Sequence, residues 1–315
     1  MFFKLVSCAY APGTVANFKS QWKNYINFCL RHGLQIFPPV QDNITRFYTY
    51  LVSNLKAYAS LQNYESAINM FYRLYGFNLD NGHILTKVLN MAAKKQLSTV
   101  PATKIPLEIS HLCDLAQVID RQNPLHFTWL TAVNVGFMAL LRRSNICPPS
   151  VAGFDPHKHL VRSDIVLNTD SITVNLRWSK TNQSADGVFS IPIASSNNSK
   201  FDPPAMYKEF VARYPVYPSD PCFSFYYHGK LFILTQSDLA RFLDVFLQKA
   251  GHDTAGITTH SIRKGGTNLL HRAGVDLPSL MHHGTWSSDA YKNYLCFNQS
   301  DKLKVTKTVY KFLNL

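Results

Sequence analysis

Residues 126–146 read HFTWLTAVNVGFMALLRRSNI, and this stretch decides the architecture. A helix here would be apolar on nearly every face, so it belongs inside a core rather than on a surface. Its last residues bring Arg142 and Arg143, the only Lys, Arg, Asp or Glu within it. Beyond it the period changes. LVRSDIVL (160–167), SITVNLRW (171–178) and VFSIPIA (188–194) alternate like strands, separated by NTD and by SKTNQSADG. Three antiparallel strands are the simplest arrangement. Helical spacing returns at 239–251, 261–274 and 286–295, and HLCDLAQVID (111–120) precedes the buried helix.

Upstream, four helical patterns occupy the first hundred residues or so. Val15, Phe18, Trp22, Tyr25, Ile26 and Cys29 recur at helical spacing within 13–32, with Gly33 as the stop. ITRFYTYLVSNL follows Asp42 and Asn43, which suit a helix cap. Residues 60–77 and 84–96 complete the set. LSTVPATKIP (97–106) has two prolines and no periodicity, which reads as a connection. The expected organisation is a small all-α domain over 1–97, a linker over 98–106 and a larger domain over 107–315. The fold class is mainly α with a small antiparallel sheet, that is, α+β.

Composition narrows the function. The chain has 315 residues, 46% of them hydrophobic and 16% charged. That excludes a disordered, collagen-like or coiled-coil architecture. No apolar run reaches the length of a membrane span, and MFFKLVSCAYAPG is too broken for a signal peptide. The six cysteines, at 8, 29, 113, 147, 222 and 296, form no C-x-x-C pair, so reduced thiols and no zinc cluster are expected. Lys plus Arg number 32 against 19 acidic residues, a net +13. Such a bias spread through folded segments points to a polyanionic partner.

Several short signals fall in a fixed order: LLRRSNI (140–146), Lys180 in the turn between two strands, His260-Ser261-Ile262-Arg263, then Gly284-Thr285-Trp286 followed by Tyr291 and Tyr294. Each is weak alone. Together they resemble the tyrosine recombinase (phage integrase) family, whose order is Arg, hairpin Lys, His-x-x-Arg, His or Trp, then Tyr. LLRRSN, HSIRKGG and GTWSSDAYKNYL look most like the recombinases of eukaryotic DIRS and Crypton mobile elements. The resemblance covers nearly the whole chain. It implies an N-terminal helical core-binding (SAM-like) DNA-binding domain ahead of a catalytic domain.

The chemistry explains why such residues belong together. Attack on a phosphodiester builds negative charge on a pentacoordinate phosphorane. Guanidiniums offer it paired N–H donors, which an ammonium cannot; Arg142 and Arg263 fill that role by resemblance. A phenol is scarcely ionised at neutral pH, so it needs help to attack. His260 would act as base and orient the phosphate, Lys180 would protonate the departing 5′-oxygen, and Trp286 would donate its indole N–H to the phosphate. In the family the His or Trp lies a little over twenty residues after the second Arg, which fits Trp286 and makes Tyr294 the nucleophile; were His282 to fill that position instead, it would be Tyr291. The family's usual acidic residue three positions after the first Arg is Asn145 here, which can hydrogen-bond but carries no charge. Arg143 would turn about 100° away along a continuous helix, toward solvent or DNA backbone.

The function implied is site-specific cleavage and rejoining of double-stranded DNA through a 3′-phosphotyrosine. No metal, ATP or other cofactor is expected, because the phosphotyrosine conserves the energy of the broken bond. A homotetramer would form the synaptic complex, and a mobile-element origin would place it in the nucleus. A DNA-binding protein that keeps the fold without turnover is the alternative; a type IB topoisomerase-like enzyme is a third. Residues 298–315 carry Leu303, Val305, Val309, Phe312 and Leu313. They either fold back or, as the resemblance implies, dock on a neighbouring protomer.

Overall fold

The computed structural model describes residues 9–80, 83–98, 104–178, 187–196 and 201–296, together with Asp301, Leu303 and Lys307. Lys180, most of the 98–106 connection and most of the 298–315 tail therefore lie outside the described residues. The chain divides into two compact units, 1–103 and 104–315.

In the first unit, α1 (Pro12–Arg31), α2 (Gln41–Asn54), α3 (Tyr58–Leu74) and α4 (Ile84–Gln96) enclose one core. Tyr25, Cys29, Ile44, Phe47, Leu61, Ile68 and Tyr72 are its buried members, contributed by stripes of helical period. The Tyr72 and Tyr25 hydroxyls lie 3.0 Å apart, and Tyr72 also donates to the Ile36 carbonyl at 2.8 Å. One expectation fails locally. Asp42 and Asn43 do not cap α2, which begins earlier, at Gln41. Asp42 instead pairs with Arg46 one turn on, at 2.8 Å, and Asn43 Nδ2 reaches back to the Gln35 carbonyl.

The second unit is built around α6 (Pro124–Met138), buried at every position from Phe127 to Phe137. Asn123 caps it, its Oδ1 accepting the Leu125 and His126 N–H groups, and Pro124 opens its first turn. Around it lie α5 (Ile109–Val118), α8 (Pro203–Arg213), α9 (Gln236–Lys249) and α10 (Thr259–Arg272). The sheet runs β1 (Ile165–Leu167), β2 (Ser171–Leu176), β3 (Phe189–Ala194), antiparallel throughout. Val174 pairs with Ile165 and Ile191, and Ile172 with Ile193; these side chains join the α6 core. The architecture is thus mainly helical with a small antiparallel sheet. No helix among the described residues is long and apolar enough to cross a membrane.

Several elements depart from the sequence reading. The helix expected over 126–146 stops at Met138, and a separate turn, α7, spans Arg143–Ile146. Leu140 takes a left-handed conformation (φ 51°), while its neighbours close the helix: Leu141 N–H bonds the Gly136 carbonyl at 2.8 Å. This is a Schellman end with leucine at the position that normally holds glycine. Arg142 is extended rather than helical, so the continuous-helix argument that separated it from Arg143 does not apply; Arg143 is nonetheless exposed. The 160–167 pattern yields only three strand residues, preceded by a 3-10 turn at Arg162–Asp164. The pattern over 286–295 is no α-helix either: α11 (Leu277–His283) is followed by a 3-10 turn at Asp289–Asn293. Helix α8 was not anticipated, nor was the hairpin β4 (Ser224–Tyr227)–β5 (Lys230–Ile233). Its two-residue turn, His228-Gly229, has positive φ at both positions.

Gly265 and Gly266 position α10. A Cβ on Gly265 would lie 2.1 Å from the Leu107 carbonyl oxygen, and one on Gly266 would lie 2.1 Å from that of Phe137. Both obstacles are backbone, which cannot swing away. Gly266 therefore sets how closely α10 approaches the end of α6, and Gly265 how closely it approaches the Leu107 backbone ahead of α5. We predict that Gly265→Ala or Gly266→Ala destabilises the chain by about 1–3 kcal/mol or more, read from urea unfolding. Gly13→Ala, with nothing near the added methyl, should be neutral or stabilising by up to about 1 kcal/mol. Equal effects at the two places would remove the close-approach argument.

Candidate active site

Helix α10 carries the centre of the site. Thr258 caps it, accepting the His260 N–H at 3.3 Å, while Ser261 Oγ accepts the Thr258 N–H at 2.9 Å. His260 thus sits in the first turn and Arg263 one turn later, on the same side. The glycine pair behind them presses this turn toward Leu140.

Arg263 is 2% exposed. Its Nη1 donates to the Leu140 carbonyl, and its Nη2 donates to the Gly284 carbonyl at 2.5 Å. Both acceptors stand at helix C-termini, where the backbone dipole is negative. The second is the end of α11, again a Schellman closure on a residue other than glycine: Thr285 has φ 54°, and Trp286 N–H bonds the Met281 carbonyl at 2.9 Å. Two helix ends with the same unusual geometry thus turn carbonyls onto one guanidinium. Its flat faces meet aromatic rings, with Trp286 4.3 Å and Tyr294 5.2 Å away at their centroids. Trp286 comes this close because Gly284 has no side chain; a Cβ there would lie 1.9 Å from the indole.

Arg142 approaches from the turn after α6. Burial pushes its pKa down, and burial together with the charge of Arg142 pushes Arg263 down to about 9, so Arg263 remains a cation at neutral pH. The Tyr294 ring lies 5.2 Å from the Arg263 guanidinium, and its interaction with both guanidiniums favours their charged forms. Among the described residues neither arginine is paired with a carboxylate. Arg142 Nη1 and Arg263 Nε are buried donors without a partner there. The site therefore keeps its positive charge.

The two tyrosines are now distinguishable. Tyr291 is 5% exposed and packs with Leu140, Leu280 and Trp286, whereas Tyr294 is half-buried and faces the guanidiniums. Asn145, at the position where an acid was expected, is buried and bridges two elements. Its Oδ1 accepts the Arg142 N–H and its Nδ2 donates to the Trp178 carbonyl, each at 3.2 Å. Trp178 lies two residues before Lys180, whose own position lies outside the described residues. Of the other histidines, His282 is exposed, and His283 Nε2 lies 2.8 Å from the Met138 carbonyl. Among the described residues no group of three His, Cys, Asp or Glu side chains could hold a metal.

The structure thus brings Arg142, His260, Arg263, Trp286 and Tyr294 together from three separated segments. It adds one residue that the sequence reading missed, Asn268 on α10, whose amide bonds the backbone at Tyr294 and Cys296. An asparagine within a helical pattern gave no signal to find it.

The sequence matches no protein-family model and no curated relative. Solved structures do share its fold. A Tn1549 transposon integrase in complex with transposon right end DNA superposes with a TM-score of 0.64 at 13% identity, covering 97% of this chain and 95% of that one. A lambda integrase dimer bound to a core site gives 0.60 at 15% identity, covering 92% and 90%. XerH site-specific recombinase bound to its difH substrate gives 0.57 at 14% identity, covering 91% and 76%. The fold is that of the tyrosine recombinases and integrases.

His260 is depressed below its ordinary pKa, first by burial and then by Lys104, Arg143, Arg263 and Arg142. Protonation is thus disfavoured in the folded state relative to the unfolded chain. The associated stability is complete above the unfolded value, about 6.5, and declines as pH falls from there toward the depressed folded pKa. We predict an NMR titration midpoint for His260 below the ordinary value, and an upward shift on Lys104→Met, which removes a like charge. A midpoint at or above the ordinary value would overturn that depression.

Proposed function

We propose that the protein is a DNA strand-breaking and rejoining enzyme of the tyrosine recombinase kind, acting through a 3′-phosphotyrosine. The observation that carries the reading is the Tyr294 ring packed 5.2 Å from the buried Arg263 guanidinium, with Arg142 beside it, two cations that no described carboxylate neutralises. In the proposed reaction Tyr294 Oη attacks the scissile phosphorus as neutral His260 takes the phenolic proton. The P–O5′ bond breaks, and Lys180 protonates the departing oxygen. Rejoining runs the same steps backwards. Arg142 and Arg263 hold the non-bridging oxygens as charge builds on them, and Trp286 packs Arg263 into place and faces the phosphate.

The wider setting is proposed on thinner support. The three structural neighbours described above are DNA-bound, and a lambda integrase structure is a tetramer on a Holliday junction. We extend to this chain double-stranded DNA as substrate and a homotetramer as the working assembly. The 1–97 unit would serve as the core-binding domain. The likeness of LLRRSN, HSIRKGG and GTWSSDAYKNYL to DIRS and Crypton enzymes supports a mobile-element origin and a nuclear setting.

A suicide half-site, which releases its 5′ product irreversibly, tests the chemistry. The parent protein should accumulate a covalent DNA adduct, Tyr294→Phe should form none, and Tyr291→Phe should still form it. Arg142→Lys and Arg263→Lys should bind the half-site but cleave more slowly by on the order of 10²–10³, the cost of losing one oxyanion donor. Adduct formation by Tyr294→Phe would move the nucleophile elsewhere; no adduct with the parent would leave a DNA-binding protein. In a separate measurement, log K for the half-site should fall with log salt at about −0.9 per neutralised phosphate. Salt-independent binding would overturn the phosphate-clasping reading.

A further inference from the structure

Asn268 lies in α10, five residues beyond Arg263, and is 2% exposed. Its side-chain amide is fully engaged. Nδ2 donates to the Lys264 carbonyl at 2.6 Å and to the Tyr294 carbonyl at 2.7 Å, while Oδ1 accepts the Cys296 N–H at 2.7 Å. The amide's orientation is forced, because reversing it would set oxygen against two carbonyl oxygens and nitrogen against an N–H. One planar group therefore clasps both peptide groups around Leu295. The 3-10 turn over Asp289–Asn293 ends immediately before Tyr294, so little regular secondary structure holds this backbone. The clasp supplies what the turn does not.

We propose that Asn268 is a positioning residue for Tyr294, tying the nucleophile's backbone to the helix that carries His260 and Arg263. This deepens the cleavage reading above and rests on it. The amide touches neither phosphate nor phenol. Its effect is to fix the distance between the attacking oxygen and the guanidiniums, by holding both to one rigid element. Few other side chains can replace it. Leucine keeps the shape and loses all three bonds; aspartate keeps an acceptor but, when ionised, turns negative oxygen toward the Lys264 and Tyr294 carbonyls.

The test uses the full chain and the suicide half-site. Asn268→Leu and Asn268→Asp should bind the half-site as the parent does while adduct formation slows by on the order of 10²-fold, the cost of misplacing a reacting group by about 1 Å. A positioning role makes a further demand that general damage would not meet. In a Tyr294→Phe background, hydrogen peroxide supplied as the nucleophile should cleave equally fast with Asn268 or Leu at this position, because the phosphate site is untouched. In the parent protein, needing no variant, the Cys296 amide should exchange slowly with deuterium. Unchanged adduct formation in both variants, equal slowing of the peroxide reaction, or an unprotected Cys296 amide would each overturn the proposal. Absence of any adduct with the parent would instead overturn the cleavage reading on which it rests.

Discussion

Burying the Arg263 guanidinium is the constraint around which the larger unit is arranged. A desolvated cation is costly unless its donors are satisfied and its charge is offset. A carboxylate would be the simplest answer, but it would also cancel the charge that an anionic substrate needs. The chain uses neutral partners instead: two helix C-terminal carbonyls and two aromatic faces. Each requirement reaches back into the fold. The Leu140 carbonyl is available because α6 ends in a left-handed residue, and α10 reaches it because Gly265 and Gly266 allow backbone contact. The Gly284 carbonyl and the Trp286 face come from the end of α11 in the same way.

Arg162 shows that burial with carbonyl partners does not by itself make an anion site. Its guanidinium is equally enclosed, bonding the Tyr214 and Ser224 carbonyls over the Phe210 ring. Close by, however, Asp164 pairs with Arg177 at 2.6 Å. What separates Arg263 is company: a second, half-buried cation, a neutral imidazole and a phenol gather near it. On the proposed reading, the arrangement answers the demands of phosphoryl chemistry, where most of the work is electrostatic placement.

The legible parts of this structure were those with local signals. The apolar stripes of the first unit, the alternation over 171–178 and 188–194, and the all-round apolarity of residues 127–137 each announced a helix or strand. Gly33, Gly251 and Gly274 marked helix ends and lie at positive φ. Leu140 and Thr285 play the same part without glycine, at about 1–2 kcal/mol of backbone strain each, and nothing local betrays them. The sequence therefore read a single helix through Leu140 and missed that the first arginine is extended. The family's motif order supplied Arg142, His260, Arg263, Trp286 and Tyr294, but periodicity could not separate Tyr291 from Tyr294. Burial does. Asn268 was illegible because its partners are backbone atoms 26 and 28 residues away.

The uncharged Asn145 fits the same logic. An acidic side chain at this position could accept the Arg142 N–H, but it would place a negative charge beside the cation and could not, while ionised, donate to Trp178. The amide accepts and donates at once, joining the turn that presents Arg142 to the strand end that leads to Lys180. Asn145 and Asn268 thus do comparable work, each fastening a loosely structured segment through backbone atoms. Neither alters the local charge. If the site handles phosphate as proposed, it depends on net positive potential, and neutral amides brace the chain while leaving the guanidiniums' charge intact.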